Sequence, residues 1–376
     1  MNWSATIARV SGIDIKLHVT FPLVLLLGAL QWGSAHGPTG AAFGALLMAL
    51  LFLCVTLHEL GHSLVAQAFR IPVREIVLLP LGGVALLGRM PEKPRQELLI
   101  AAAGPAVNVV LAAAIYLVTG ATIGWEGLDG KGLVAGTRAE PSLGTLLVWL
   151  MEANISLVLF NLIPAFPLDG GRMLRAGLAM VTDYQRATRI AAGTGQLLAV
   201  GLGVLGVVGG NFLLVLVAVF VFFGAGMESF QTASRTVLTT LRVGDAYNKH
   251  ALTLAPDDRV SRVVDYLLTS YQPDFGVVHA GRLLGVVTRE DVLKALAAHE
   301  EDPYVTGIMR REVDRVDPGA GLDEVHQLMS EKSTRLVAVH DRERFLGLVS
   351  AEDIAEALAV AAVLQRRRRL RPALAG

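Results

Sequence analysis

The sequence predicts a bundle of about six membrane-spanning α-helices carrying a small β-hairpin, followed by a smaller α/β module. Three observations lead there. Hydrophobic residues make up 53% of the 376 residues against 18% charged, and mean hydropathy is +0.53, so much of the chain calls for an apolar solvent. Up to about residue 230 long apolar runs alternate with short polar connections, whereas beyond about 240 the residues mix as in a water-soluble domain. Within that second region a pattern recurs at one constant offset.

Composition also sets exclusions. Lys+Arg and Asp+Glu are both 33, giving a net charge of zero, so nothing global favours nucleic acid as a partner. Cys54 is the only cysteine, which rules out an intrachain disulfide and cysteine-based zinc or iron–sulfur sites. The first strongly apolar run starts near Phe21, after a strand-like segment containing Arg9, Asp14 and Lys16, so no cleavable signal peptide is expected.

The apolar helices are expected at roughly 20–33, 41–69, 97–119, 143–167, 187–208 and 211–228. Arg70, Arg74, Arg89, Lys93 and Arg95 crowd the connection after the second, and Arg172, Arg175, Arg186 and Arg189 follow the fourth. The connection over 120–142 has only Lys131 and Arg138 beside Glu126, Asp129 and Glu140. The positive-inside bias therefore predicts that the basic loops are cytoplasmic, and an even number of spans puts both the N-terminus and everything after residue 230 on that side.

On the second helix stands His58-Glu59-Leu60-Gly61-His62. Histidines four apart share a helix face and can reach one zinc ion, while Glu59 sits where it can take a proton from a water activated by the metal. In a soluble helix such a pattern is easily incidental. Here it follows directly on Leu51–Leu57, and each ionisable group at membrane depth costs roughly 2.5–3.5 kcal/mol on insertion scales, so the cluster requires a purpose. Zinc needs a third protein ligand and an open position. Asp169, in Pro167-Leu168-Asp169-Gly170-Gly171, falls towards the same side of the membrane and is the expected third ligand; the plainer alternative is a turn-former beside two glycines. Cys54, one turn before His58, reads as a packing residue rather than a ligand. Asn108 at the start of the third helix, and Asn154 and Asn161 on the fourth, are amides able to hydrogen-bond a substrate carbonyl or a developing oxyanion, or simply to bridge helices.

With these residues assembled, residues 1–230 resemble the site-2 protease family of intramembrane metalloproteases, through His58-Glu59-x-x-His62, Pro167-Leu168-Asp169-Gly170 and Gly104-Pro105-x-x-Asn108. The resemblance implies zinc on His58, His62 and Asp169, Glu59 as catalytic base, and cleavage of a membrane-spanning protein, a transcription-controlling one among the family's substrates, near the cytoplasmic face. It also implies a membrane-associated β-hairpin around Leu81-Gly82-Gly83-Val84 that receives the substrate as an added strand; residues 71–90 alternate suitably for two strands. No inserted PDZ-like domain is expected, because the connection over 120–142 is short.

After a linker over 231–242, Leu284-Gly285-Val286-Val287-Thr288-Arg289-Glu290-Asp291 is echoed by Leu346-Gly347-Leu348-Val349-Ser350-Ala351-Glu352-Asp353. Val243, Pro256 and Gly285 recur at Val305, Pro318 and Gly347 with the same offset. The two copies, over 243–300 and 301–361, resemble a tandem pair of CBS domains. That resemblance implies an adenine nucleotide (ATP, ADP or AMP) between the copies, with Asp291 and Asp353 towards ribose and Thr288 and Ser350 towards phosphate, and it makes a homodimer through this module an expectation. The same Thr/Ser-x-x-Asp spacing is also a helix-capping pattern. The tail over 362–376, with Arg366-Arg367-Arg368-Arg369, reads as a solvated end or a contact with anionic lipid heads. A transporter or channel with a CBS sensor is the rival reading; it accounts for intramembrane charges but not for Glu59 beside two histidines at zinc spacing.

Overall fold

In the computed structural model, residues 4–80, 82–87, 93–123, 136, 139–298 and 301–370 are described. Leu81, Arg89, the connection over 124–135 with Glu126, Asp129 and Lys131, Arg138 and Arg371 lie outside them. The chain divides into two units, Met1–Phe230 and Gln231–Gly376.

The first unit opens with strands β1 (Ser4–Val10) and β2 (Ile13–His18), followed by the 48-residue α1 (Phe21–Ala68). A straight helix of that length would be about 72 Å long, more than twice the hydrocarbon core. Instead the backbone leaves helical geometry at His36 and Gly37 (φ +63), with Pro38 next, and doubles back. The two arms then lie together through small residues: a Cβ on Gly33 would come within 3.1 Å of that of Ala41, and one on Gly28 within 2.6 Å of the Gly44 carbonyl oxygen. The expected helices at 20–33 and 41–69 are thus arms of one helical hairpin.

Strands β3 (Val73–Leu79) and β4 (Gly82–Leu87) come next, followed by α2 (Pro94–Ile123), α3 (Leu143–Asn161), α4 (Asp169–Ala179), α5 (Tyr184–Val208) and α6 (Phe212–Leu238). Among the described residues five helices, α1, α2, α3, α5 and α6, are long and apolar enough to cross a membrane. Their outward faces expose large apolar side chains such as Leu30, Leu117, Leu197, Leu205, Phe212 and Phe223, as a lipid solvent requires. Helix α3 stops at Asn161, short of the expected 167; turns lead to α4, a separate amphipathic helix that begins at Asp169. Residues 231–238, expected as linker, continue α6 as helix.

The expected two-stranded hairpin belongs to a larger sheet of order β1-β2-β3-β4. β1 and β3 run antiparallel to β2 and β4 respectively, while β2 and β3 are parallel, joined through α1. One face of this sheet buries Ile13, Ile15, Ile76 and Leu78 against Leu60 and Ala66 of α1 and Ile100 of α2. The sheet is therefore seated on the helical turn that bears the His58–His62 motif, and among the described residues β4 is an edge strand.

The second unit contains α7 (Val243–Ala246), β5 (Thr253–Leu254), α8 (Val260–Thr269), β6 (Asp274–His279), β7 (Arg282–Thr288) and α9 (Arg289–Ala298). These are repeated as α10 (Val305–Ile308), β8 (Arg315–Val316), α11 (Leu322–Lys332), β9 (Leu336–Asp341), β10 (Arg344–Ser350) and α12 (Ala351–Leu370). Each copy forms a three-stranded sheet, β5-β6-β7 and β10-β9-β8. The copies exchange their opening segments. Val243 is buried with Leu322, Val325, Val337 and Val349 of the second copy, and Val305 with Val260, Phe275, Val277 and Val287 of the first. Backbone bonds repeat the exchange: Val243 N donates to Ala320 O and Leu322 N to Leu241 O, just as Val305 N donates to Asp258 O and Val260 N to Pro303 O. Each folded lobe thus takes its opening segment from the other repeat.

Candidate metal centre

Three side chains from two helices converge on one point. His58 and His62 come from consecutive turns of α1, and Asp169 from the first position of α4; all three are buried. His58 Nε2 lies 3.1 Å from His62 Nε2, and each is 3.2 Å from Asp169 Oδ2. His62 Nδ1–H donates to the Ile100 carbonyl at 2.6 Å, and His58 Nδ1–H to Asn108 Oδ1 at 3.1 Å. Each imidazole so directs its proton outward and its Nε2 lone pair inward. Two imidazole lone pairs and a carboxylate oxygen then face one another, and among the described residues Asp169 Oδ2 has no hydrogen-bond partner. Three inward acceptors at this spacing repel unless a cation lies among them. Tetrahedral zinc with ligands at about 2.0–2.1 Å separates its ligand atoms by about 3.3 Å, so the triangle fits that ion.

Two glycines make room. Gly104 of α2 faces the imidazoles so closely that a Cβ there would lie 2.6 Å from His58 Nε2 and overlap His62 Nε2. Gly83 on β4 lies over Glu59, and a Cβ there would come within 2.5 Å of Glu59 Cγ and 3.4 Å of its Oε1. The half-buried Glu59 carboxyl group thus lies between the motif helix and the edge strand. Gly82, at φ +141, supplies the turn into that strand in a conformation L side chains rarely adopt. Asn154 is buried, donating to Cys54 Sγ at 3.3 Å and Leu150 O at 2.8 Å, while Asn161 is half-buried at the end of α3.

Residues 46–202 match peptidase family M50, and residues 243–298 and 305–360 each match the CBS domain. A zinc metalloprotease of Methanocaldococcus jannaschii is 32% identical over 362 residues, covering 96% of this chain and 97% of that protein. The chain belongs to peptidase family M50. It is a zinc metallopeptidase of the site-2 protease type with tandem CBS domains, and a multi-pass membrane protein. Stage IV sporulation protein FB of Bacillus subtilis is 27% identical over 177 residues, 47% of this chain and 52% of that one. The solved site-2 protease from Methanocaldococcus jannaschii is 36% identical, covering 60% of this chain and 95% of that one, with a TM-score of 0.43.

In the peptidase's second unit, Thr288 and Asp291 close a reciprocal capping box on α9. Asp291 Oδ2 accepts from Thr288 N at 3.1 Å and Thr288 Oγ1 at 2.6 Å, and Asp291 N donates to Thr288 Oγ1 at 3.3 Å. Ser350 and Asp353 do the same on α12, with distances of 2.8, 2.7 and 3.1 Å. The boxes differ in one respect. Arg310 Nε and Nη2 clasp the Asp291 carboxylate at 2.8–3.1 Å, whereas the corresponding opening segment of the first copy carries Asn248, whose N–H donates to Leu348 O as that of Arg310 does to Val286 O.

Sequence reasoning missed three contributors. The Ile100 carbonyl carries no side-chain signal. Gly104 was legible as part of Gly104-Pro105-x-x-Asn108 but not as the wall of an imidazole pocket. Arg175 had been counted among loop charges, yet it is 3% exposed and lies between Glu97 and Glu228.

Proposed function

We propose that this peptidase cleaves a membrane-spanning protein near the cytoplasmic face, using zinc held by His58, His62 and Asp169 with Glu59 as the catalytic base. The observation that carries the reading is the convergence of two Nε2 atoms and Asp169 Oδ2 at 3.1–3.2 Å, buried and with both Nδ1 protons spent elsewhere. Zinc, when bound, supplies the Lewis acidity that acidifies a water molecule and polarises an amide carbonyl. The protein's own residues do the rest. Ile100 O and Asn108 Oδ1 hold the imidazoles in one tautomer; the buried Asn108 Nδ2, without a hydrogen-bond partner among the described residues, is left to donate to a substrate carbonyl or a developing oxyanion, the role expected from sequence. Glu59 receives the proton of the attacking water and delivers it to the leaving amine nitrogen.

The substrate must arrive unwound, because a helix keeps its carbonyls in internal hydrogen bonds. An edge strand supports a way to present it: among the described residues β4 is paired on one side only, and Gly83 lies against Glu59, so a segment added beside Gly82 and Gly83 would pass close to the base. Two passes of the bent α1 bring the crossings to six, which keeps both termini and the CBS pair in the cytoplasm of a cell whose plasma membrane houses the enzyme. An adenine nucleotide bound between the CBS repeats, with Thr288, Asp291, Ser350 and Asp353 at its edges, would regulate cleavage, and the same module would pair two copies. A membrane-bound regulator of transcription is the substrate class that the resemblance suggests.

Purified protein should contain one zinc per chain by elemental analysis. Glu59→Gln should retain that zinc while a membrane-spanning substrate, found by comparing membrane proteins of cells with active and variant enzyme, stays intact. Absence of zinc from unchelated protein, or full cleavage by Glu59→Gln, sinks the proposal.

A further inference from the structure

The first unit holds a buried charge cluster beside the metal ligands, made by residues that are not ligands themselves. Arg175 on α4 donates from Nε and Nη2 to Glu97 Oε1 on α2, at 2.8 and 2.5 Å, and from Nη1 to Glu228 Oε1 on α6 at 2.5 Å. Its guanidinium carbon lies 4.8 Å from the centre of the Phe166 ring and 5.0 Å from that of Tyr184. Arg175 and Glu97 are 3% and 4% exposed, and among the described residues Glu97 Oε2 has no hydrogen-bond partner.

Such a cluster is a poor way to gain stability. Desolvating three ionised groups costs several kcal/mol per ion, and replacing buried ionic triads by uncharged residues is often neutral or stabilising. Its placement suggests another purpose. Arg175 follows the ligand Asp169 by under two turns of the same helix. Phe166, stacked beneath the guanidinium, is fully buried in the turn that delivers Asp169. Glu97 stands less than one turn before Ile100, whose carbonyl fixes the His62 ring. One planar fork thus ties the turn and helix bearing the carboxylate ligand to the turn of α2 that orients an imidazole ligand. Ligand positions tolerate errors of only about 0.5 Å, and α4 lacks any covalent tie to α2 nearer than the intervening α3.

We infer that Arg175 is a positioning residue for the metal site, setting the register of α4 against α2 so that Asp169 meets the His58–His62 pair. This rests on the zinc reading above. In the full-length protein, zinc affinity is measured by competition with a chromophoric chelator, and ligand geometry by the visible absorption of the cobalt-substituted site. Arg175→Lys keeps the charge but loses the fork; Glu97→Gln/Arg175→Gln/Glu228→Gln removes all three charges at similar volume. Both should weaken zinc binding roughly tenfold or more and shift the cobalt bands, as loss of an orienting group does, with thermal unfolding close to wild type. A folded triple variant with wild-type zinc affinity and unchanged bands overturns the inference. If the triple variant does not fold, Arg175→Lys decides: weakened zinc binding at an unchanged melting temperature supports the clamp, and wild-type affinity overturns it. Wild-type protein that binds no zinc overturns the functional reading and the clamp together, whereas wild-type zinc binding left untouched by these variants removes the clamp alone.

Discussion

Gly104 tests the metal centre at the scale of one methyl group. Helix α2 approaches the motif so closely that a Cβ at this position would occupy the space of the two Nε2 atoms. Gly104→Ala improves helix propensity by about 1 kcal/mol, so a purely structural view predicts an equal or more stable protein. The expectation here is the opposite for function: zinc content should fall roughly tenfold or more, as when a ligand is pushed out of position, while the protein still inserts and purifies. Elemental analysis checks it, and full zinc occupancy would contradict the described geometry. Asp274 offers a test in the other unit. Its carboxylate is 5% exposed, neither oxygen accepts a hydrogen bond among the described residues, and Arg335 approaches only to 4.0 Å; the residue at the same place in the second copy is Leu336. Burial pushes the Asp274 pKa up, with Arg335 opposing. Because the folded value lies above the unfolded one, near 4, the ionised form carries a penalty at neutral pH that is relieved as pH falls through the folded value. Asp274→Asn should therefore raise the melting temperature at pH 7 and lose that advantage as pH falls towards about 4. A variant less stable than wild type at pH 7 would contradict this.

Among the elements, the two capping boxes form a matched pair. Replacing Asp291 or Asp353 by Ala should each cost about 0.5–2 kcal/mol through the lost cap. Asp291→Ala should cost more, since it also strands the half-exposed Arg310; differential melting of the two variants measures the gap, and a larger loss for Asp353→Ala would argue against it. Burial alone would raise the Asp291 pKa, but hydrogen bonds from Arg310 and Thr288 more than reverse that and hold it below the ordinary range. Its share of stability is thus complete above the unfolded value near 4 and is lost as pH falls through the folded one, opposite in sign to Asp274. The elements also show where sequence suffices. The motif helix, the repeats and the Thr/Ser-x-x-Asp caps are local patterns, and each was legible as such. The parallel pairing of β2 with β3 spans the whole of α1, so alternation in Ile13–His18 announced a strand but not its neighbour. Arg175 looked like any loop charge because its burial is made by α2 and α6, far along the chain.

At the scale of the whole molecule, covalent union of a membrane peptidase with a CBS pair predicts ligand-dependent cleavage. A nucleotide binding only the folded module stabilises it by about 2.7 kcal/mol at a concentration one hundred times its dissociation constant, which thermal unfolding would register as a raised midpoint. Cleavage measured with and without ATP, ADP and AMP should differ for at least one of them. Identical rates and midpoints throughout would remove nucleotide control. Arg310 already clasps Asp291, while Asp353 is bonded with Ser350 alone among the described residues, so any ribose contact should be lost more readily through Asp353→Ala than through Asp291→Ala. The exchange of Val243 and Val305 between the two copies carries a consequence for evolution and engineering alike. Each lobe is plugged by a piece of its twin, so a gene truncated between the duplicates would encode a half with an open seam. Deleting either duplicate should therefore destabilise the one that remains, and the two should melt together.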